Sequence, residues 1–192
     1  MKIAYPPGST PLEPEELEGL IPTYITTQEQ LNVWEQANII AAEQWASKKK
    51  NLLSIAFIQK LHNHMFNQTW KWAGKFRFSE KNIGINWYKI PEELQKLCSD
   101  VKYQLEHNTF PDDEIAVRMH HRLVWIHPFP NGNGRHARLM ADLLIMQRGL
   151  QRFSWGAAQN LYESTPVRKK YIEALRLADR GDYSELVAFS RS

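Results

Sequence analysis

The sequence has little cysteine, little excess charge and no long apolar run. Its one cysteine, Cys98, excludes an intramolecular disulfide and lies in a helical pattern that favours a packing role. Lysine and arginine number 24 against 21 aspartates and glutamates, with the two signs mixed along the chain, so the charge does not call for a nucleic-acid partner. Because neither a membrane span nor a signal peptide is evident, we expect a cytoplasmic protein without membrane contact.

Length and composition fit one well-filled domain. The chain has 192 residues, and 43% of them are hydrophobic. That is enough to fill the core of one domain, and the chain is too short to predict two domains. We therefore expect a single domain over 1–192. Apolar spacing predicts a mainly α fold, with helices over 27–47, 52–66, 91–107, 114–126, 135–148, 166–178 and 183–190.

Several helix ends carry their own signals. Thr26 and Thr27 are each followed three residues later by Glu29 and Gln30, which gives two overlapping capping boxes. The helix that they begin should bury Leu31, Trp34, Ala41 and Trp45. Gly149 is expected at the position just after the end of a helix, where a left-handed backbone conformation is common.

The pattern changes over 74–90. Apolar residues there, with Asn82 and Gly84 between them, predict a short β-hairpin. We expect this hairpin to be the main interruption of the helical architecture.

The segment 127–138 concentrates groups that suit phosphate chemistry. It reads His-Pro-Phe-Pro-Asn-Gly-Asn-Gly-Arg-His-Ala-Arg, with His127 at the end of one predicted helix and the glycines at the start of the next. A helix N-terminus offers free N–H groups and a positive dipole end to an anion. Gly132 and Gly134 permit close backbone approach, and His127 can accept a proton near neutral pH.

The remaining side chains of the segment fit the same chemistry. Arg135 and Arg138 are spaced i, i+3, so both are expected to face the loop mouth and grip phosphate. Asn131 supplies an oxygen where a Mg²⁺ ion bridging phosphates would take a ligand.

Three other interpretations of this segment remain open. The loose dinucleotide fingerprint Gly132-x-Gly134-x-x-Ala137 is present, but a helix rather than a strand precedes it. A metal site could draw on histidines, although His120 and His121 face different sides of a helix and no His-Glu-x-x-His pattern occurs. Alternatively, the glycines make only a turn and the arginines are solvated. A P-loop is absent, since the chain has no Gly-Lys-Ser or Gly-Lys-Thr.

The segment 127–138 resembles the signature of Fic (Fic/DOC) proteins, His-Pro-Phe-x-(Asp or Glu)-Gly-Asn-Gly-Arg-x-x-Arg. It differs at one defined position, where Asn131 replaces the carboxylate. The stretches 72–77 and 171–182 also look like parts of that family. Residues 82–84 and 120–124 resemble the subgroup of that family called mobile mystery protein B. The resemblance as a whole implies a Fic-type helical bundle with one β-hairpin flap.

The resemblance implies transfer of AMP from ATP to a hydroxyl of a target protein. His127 would be the general base, while Gly132, Asn133 and Gly134 cradle phosphates that Arg135 and Arg138 neutralise. Phe129 would anchor the loop in the core. Asn131 would bind Mg²⁺ weakly, because asparagine lacks the negative charge of the usual carboxylate.

The same resemblance suggests roles outside the loop. The flap residues Ile83, Gly84 and Ile85 would align a target segment by strand addition, although the hairpin could instead only cover the core. Tyr171 and Asp179 lie where the family holds the nucleobase, or belong to an ordinary amphipathic helix. Glu18 partly fits an inhibitory motif and would then pair with Arg138, or it belongs to an acidic first helical turn.

The leading functional hypothesis is a protein adenylyltransferase, autoinhibited and toxin-like, acting beside a helix-turn-helix regulatory partner as members of that subgroup do. The alternatives are a regulatory protein with a degenerate nucleotide site, and a Fic variant that transfers phosphate or another monophosphate or removes AMP. The target protein, the nucleobase and the oligomeric state are not evident from the sequence.

Overall fold

The fold is built almost wholly of α-helices. The computed structural model describes residues 10–156 and 165–192. Its helices are α1 Pro14–Leu17, α2 Gln28–Ala46, α3 Ile55–Phe66, α4 Ile90–His107, α5 Asp112–Ile126, α6 Asn133–Gln147, α7 Pro166–Ala178 and α8 Ser184–Arg191, with a 3-10 turn at Trp87–Lys89. The predicted mainly α fold class is confirmed.

Capping residues and a first-turn proline explain why some predicted helices begin where they do. Thr27 is the N-cap of α2, and its hydroxyl accepts a hydrogen bond from the Gln30 amide at 3.2 Å. Pro166 stands in the first turn of α7, where its missing N–H costs nothing. Gly149, with φ of 77°, follows the end of α6 as predicted.

Helix α5 lies at the centre of the packing. It contacts α4, α6 and α8, while α2 packs on α3 and α7 packs on α8. The core includes Cys98, as the sequence predicted, and fully buried side chains of α5 and α6. In α2 the expected burial holds for Leu31 but is wrong for Ala41, which is exposed because the buried stripe runs through Ala42 and Ala46 instead.

The predicted hairpin over 74–90 is wrong. Among the described residues the only β pairing is an isolated bridge between Leu20 and Trp70, and the chain from 75 to 86 forms bends and irregular loop. Backbone carbonyls of this loop are bound by the guanidinium of Arg77 instead of by a second strand, as at Ser79 (2.8 Å) and Ile85. We keep the name flap loop for residues 75–86.

The N-terminal segment 10–21 lies across the flap loop. The Lys71 amide donates to the Gly19 carbonyl at 2.9 Å, and the Ile21 amide donates to the Thr69 carbonyl at 2.8 Å. Lys81 of the flap loop pairs with Glu16 of α1 at 2.6 Å. The helices within the described ranges include none with the length and apolar character needed to cross a bilayer.

Candidate active site

The site is centred on the loop that joins α5 to α6. His127 follows the last residue of α5 and adopts a left-handed conformation with φ of 54°, so the chain turns sharply there and Pro128 continues away from the helix. Gly132 is the N-cap of α6 with φ of 77°. A Cβ on Gly132 would lie 2.6 Å from the Phe66 ring, so packing as well as backbone conformation requires glycine.

Two buried polar side chains hold the loop in shape. The Asn133 amide spans it, accepting from the Phe129 N–H at 2.9 Å and donating to the Phe129 carbonyl at 2.8 Å. His62 of α3 accepts from the Gly74 amide through Nδ1 at 3.0 Å, which leaves its Nε2–H to donate to the Asn131 carbonyl at 3.0 Å. The His62 ring also stacks on Phe129, with the ring centroids 3.7 Å apart, and Phe129 is fully buried. The structure thus gives Phe129 the anchoring position expected from the sequence.

Arg77 ties the flap loop to the end of α5. Its side chain is buried, and its Nε donates to the His127 carbonyl at 2.7 Å. Its backbone amide donates to the Pro128 carbonyl at 2.9 Å. Burial lowers the pKa of this guanidinium, while Glu80 acts in the opposite direction. The positive charge of Arg77 therefore lies next to the backbone of His127.

His127 is a buried, neutral imidazole at ordinary pH. Burial, together with the charges of Arg77 and Lys81, lowers its pKa to about 3, and hydrogen bonding to the Val124 carbonyl acts in the opposite direction. Its Nε2 lies 3.0 Å from the hydroxyl oxygen of Thr10. A neutral ring protonated on Nδ1 accepts a hydroxyl proton at Nε2, which is the chemistry of a general base.

The two motif arginines do not share one direction, contrary to the expectation from their spacing. Arg135 pairs with the buried carboxylate of Glu35 on α2 and lies over the Phe66 ring. Arg138 lies over the Tyr171 ring on the other side, with its guanidinium carbon 5.6 Å from the ring centroid. They diverge because α2 supplies an acid on one side of α6, whereas α7 supplies an aromatic ring on the other.

Asn131 has both ends of its amide engaged. Its oxygen accepts from the Gly132 amide at 2.6 Å, and its nitrogen donates to the Thr10 carbonyl at 3.0 Å. Across the described ranges, no group of three or more histidine, cysteine, aspartate and glutamate side chains could hold a metal ion. In this arrangement the residues do not form a metal site of their own.

Three other residues proposed from the sequence lie in two places. Gly84 lies against the base, because a Cβ added to it would come within 2.7 Å of the His127 Cβ. Tyr171 is buried and its hydroxyl lies 2.9 Å from His120 Nε2, while Asp179 lies 2.8 Å from His121 Nε2, so both join α7 to α5.

Glu18 requires a correction. It was expected either to pair with Arg138 or to belong to an acidic first helical turn, but it is exposed at the C-terminal end of α1. The short α1 and the chain around Gly19 are fixed against 69–71, and the acid that reaches a motif arginine is Glu35.

Sequence reasoning missed Thr10, Glu35, His62 and Arg77. Each acts through a contact far along the chain, such as the 117 residues between Thr10 and His127. Glu35 alone left a sequence signal, since a charged residue on the same face of α2 as Leu31 needs a buried partner.

These features define a class: a helical domain whose loop joins a buried, neutral histidine to a helix N-terminus flanked by arginines. Residues 52–145 match the family model described as the Fic/DOC family. The chain is also 30% identical over 147 residues to protein adenylyltransferase fic-1 of Caenorhabditis briggsae, an alignment that covers 74% of this chain and 27% of that protein.

Solved structures share the fold. Fic-1 of C. elegans (aa134–508) superposes with a TM-score of 0.69 at 23% identity, covering 91% of this chain and 51% of that one. BepC of Bartonella tribocorum, solved with bound AMPPNP, gives 0.66 at 16% identity over 93% of this chain and 97% of that one. The chain therefore contains a Fic/DOC family domain, which the family model matches over residues 52–145. It spans about a quarter of the length of the first curated relative that it matches, which is 27% covered.

Buried histidines should make the fold sensitive to acid. Burial lowers the pKa of His120 to about 3, of His136 to about 4, and of His62 well below 6.5. With His127, these groups stay neutral in the folded state while the unfolded chain takes up protons below pH 6.5. Stability is thus fully present above pH 6.5 and is lost as pH falls toward 3 to 4. Asp142 opposes this in part, because burial raises its pKa to about 6.

We expect the free energy of unfolding, measured by urea denaturation, to fall by at least about 3 kcal/mol between pH 7 and pH 5, since each neutral buried histidine contributes on the order of 1.4 kcal/mol per pH unit. In His120→Gln the slope should decrease by about that amount per pH unit, because one titrating group is removed. Stability that stays level or rises down to pH 5 would contradict the buried neutral state.

Proposed function

We propose that the chain is a protein adenylyltransferase that transfers AMP from ATP to a Ser, Thr or Tyr hydroxyl of a target protein and releases pyrophosphate. The observation that carries this proposal is the neutral Nε2 of His127 facing a hydroxyl oxygen at 3.0 Å beside the N-terminus of α6. Supporting it, the adenylyltransferase fic-1 is similar over most of this chain, and BepC, which shares the fold, was solved with AMPPNP.

In the proposed reaction His127 takes the acceptor proton at Nε2. The hydroxyl oxygen then forms a bond to the α-phosphorus of ATP, the bond from that phosphorus to the bridging oxygen breaks, and pyrophosphate leaves with the electron pair. A nearby polyphosphate would raise the pKa of His127, since negative charge favours the imidazolium. The low pKa of the ligand-free site thus keeps the base unprotonated until ATP strengthens it.

The phosphates would lie at the start of α6. Backbone amides of Gly132, Asn133 and Gly134 would face them once the Gly132 amide leaves the Asn131 oxygen to which it donates at 2.6 Å. The Asn133 side chain would contribute only by holding the loop. At Gly134 an added Cβ would meet only the Arg138 guanidinium, at 3.7 Å, so packing does not require glycine there. Because Gly134 has no side chain, there is room for an anion beside its backbone.

Arg135 and Arg138 would neutralise charge on the leaving pyrophosphate. Mg²⁺ would enter with the triphosphate, which would supply most of its ligands, because the Asn131 oxygen is bound to the Gly132 amide. Tyr171 and Asp179 would border the nucleobase from α7. Ile83, Gly84 and Ile85 would align the target segment as irregular backbone over the base, not as a preformed strand.

Two features of the sequence suggest the wider biological role. Resemblance to the mobile mystery protein B subgroup suggests a toxin-like protein beside a helix-turn-helix partner, and the single cysteine suits the reducing cytoplasm.

The proposed activity is tested with purified chain, cell lysate, and ATP labelled at either the α- or the γ-phosphate. We expect α-label to appear on protein and to disappear in His127→Ala, because that variant lacks the base. Transfer of γ-label would instead indicate a kinase. Absence of both labels would favour the second candidate, a regulatory nucleotide-binding protein, which the replacement of the usual acid by Asn131 suggests.

The Glu35 carboxylate should restrain the enzyme. Its Oε1 accepts from the Trp70 indole at 2.6 Å, and its Oε2 pairs with Arg135, so that arginine is not offered to phosphate. Glu35→Gln keeps an oxygen for Trp70 and removes the charge. We expect its rate of α-label transfer at low ATP to rise at least about tenfold, since a hydrogen bond to a charged group is worth about 1.5 to 3 kcal/mol.

Glu18→Gln is the matched control, and it should transfer at the rate of the unaltered chain because Glu18 is exposed. If the rate of α-label transfer rose more in Glu18→Gln than in Glu35→Gln, Glu18 and not Glu35 would be the inhibitory residue.

A further inference from the structure

The hydroxyl that contacts His127 is the side chain of Thr10, a residue of this same chain. Thr10 is 6% exposed, and its Oγ1 lies 3.0 Å from His127 Nε2. In the tautomer that carries the proton on Nδ1, the hydroxyl donates and Nε2 accepts, which is the contact required of an acceptor hydroxyl at the start of the proposed transfer.

The backbone beside this hydroxyl is held as well. The Thr10 carbonyl accepts from the Asn131 amide nitrogen at 3.0 Å, so the main chain and the side chain of Thr10 are both fixed in the loop. Asn131 suits this contact in a way that a carboxylate would not, because an ionised carboxylate cannot donate a hydrogen bond to a carbonyl.

Contacts further along the segment fix its path over the flap loop. Lys81 has a side chain that is 1% exposed and pairs with Glu16 at 2.6 Å. The Trp72 indole donates to the Glu16 carbonyl at 3.0 Å. The segment 10–21 therefore contacts both the flap loop and His127, the two places where the proposed function needs a target segment.

We infer that Thr10 is an intramolecular acceptor, modified with AMP by its own active site. This inference rests on the proposed adenylyltransferase function. It names one substrate of that activity, the N-terminal segment of the same chain. The Thr10 oxygen forms a bond to the α-phosphorus of ATP, its proton passes to His127 Nε2, and the bond to pyrophosphate breaks with the electron pair leaving on that product. The proton on His127 then passes to solvent.

Modification also changes which acceptors compete for the base. An esterified Thr10 oxygen has no proton to donate to His127, and a nucleotide attached to a hydroxyl that is 6% exposed does not fit the same contact. The modified segment leaves the base. Before modification, the tethered hydroxyl competes with other targets at the high effective concentration typical of a short linker.

The test uses the purified full chain with α-labelled ATP and locates the modification by tandem mass spectrometry. We expect AMP on Thr10, with a first-order rate constant that does not change with protein concentration. Thr10→Val, which keeps the branched shape, should lose this label and should label lysate proteins faster than the unaltered chain. Thr10→Ser should retain the label, because it keeps the hydroxyl.

Thr23→Val is the matched control. Thr23 follows the same segment but is exposed, so its replacement should change neither the site nor the rate of self-modification. Modification spread over exposed hydroxyls, or label kept in Thr10→Val, would overturn the inference.

Failure of this inference can be told from failure of the proposed function. If lysate proteins take the α-label while Thr10 does not, the intramolecular acceptor is wrong and the adenylyltransferase stands. If neither takes it, the proposed function falls, and this inference falls with it. A rate constant that rises with protein concentration would show modification between molecules and would also overturn it.

Discussion

The contact between the Arg77 guanidinium and the His127 carbonyl, at 2.7 Å, is the interaction on which the site depends. His127 leaves α5 in a left-handed conformation, which an ordinary residue adopts only when its surroundings impose it. The same guanidinium binds carbonyls of the flap loop, so one buried side chain sets both the direction of the base and the wall beside it. Its charge also helps to keep the imidazole neutral.

A second constraint comes from the polar groups buried beneath the loop. His62 joins α3, the turn at Gly74 and the Asn131 carbonyl, while Asn133 closes the loop on Phe129. Each of these groups must keep its partner, because an unpaired polar group in the interior costs about 1 to 3 kcal/mol. The loop is therefore rigid where it carries the base and the amides. Side chains that leave the loop find partners on other helices, as Arg135 does with Glu35 of α2.

Local signals predicted the helices well, and long-range contacts limited the rest. Thr27, Pro166 and Gly149 act on their own neighbours, so a sequence pattern was enough to place them. The predicted hairpin failed because Arg77 competes for the carbonyls, which alternation of apolar residues does not reveal. The motif identified His127 and its arginines. It could not show that Arg135 turns to α2, or that Thr10, far along the chain, meets the base.

The central claim is that His127 is a buried neutral base whose Nε2 accepts from a hydroxyl. The most direct measurement is an NMR titration of the ring nitrogens of His127 in the ligand-free chain. The account predicts a proton on Nδ1 and none on Nε2 from pH 7 to below pH 5, in keeping with a pKa of about 3. Titration near 6.5, the value of a solvated histidine, or a proton on Nε2 at neutral pH, would contradict it.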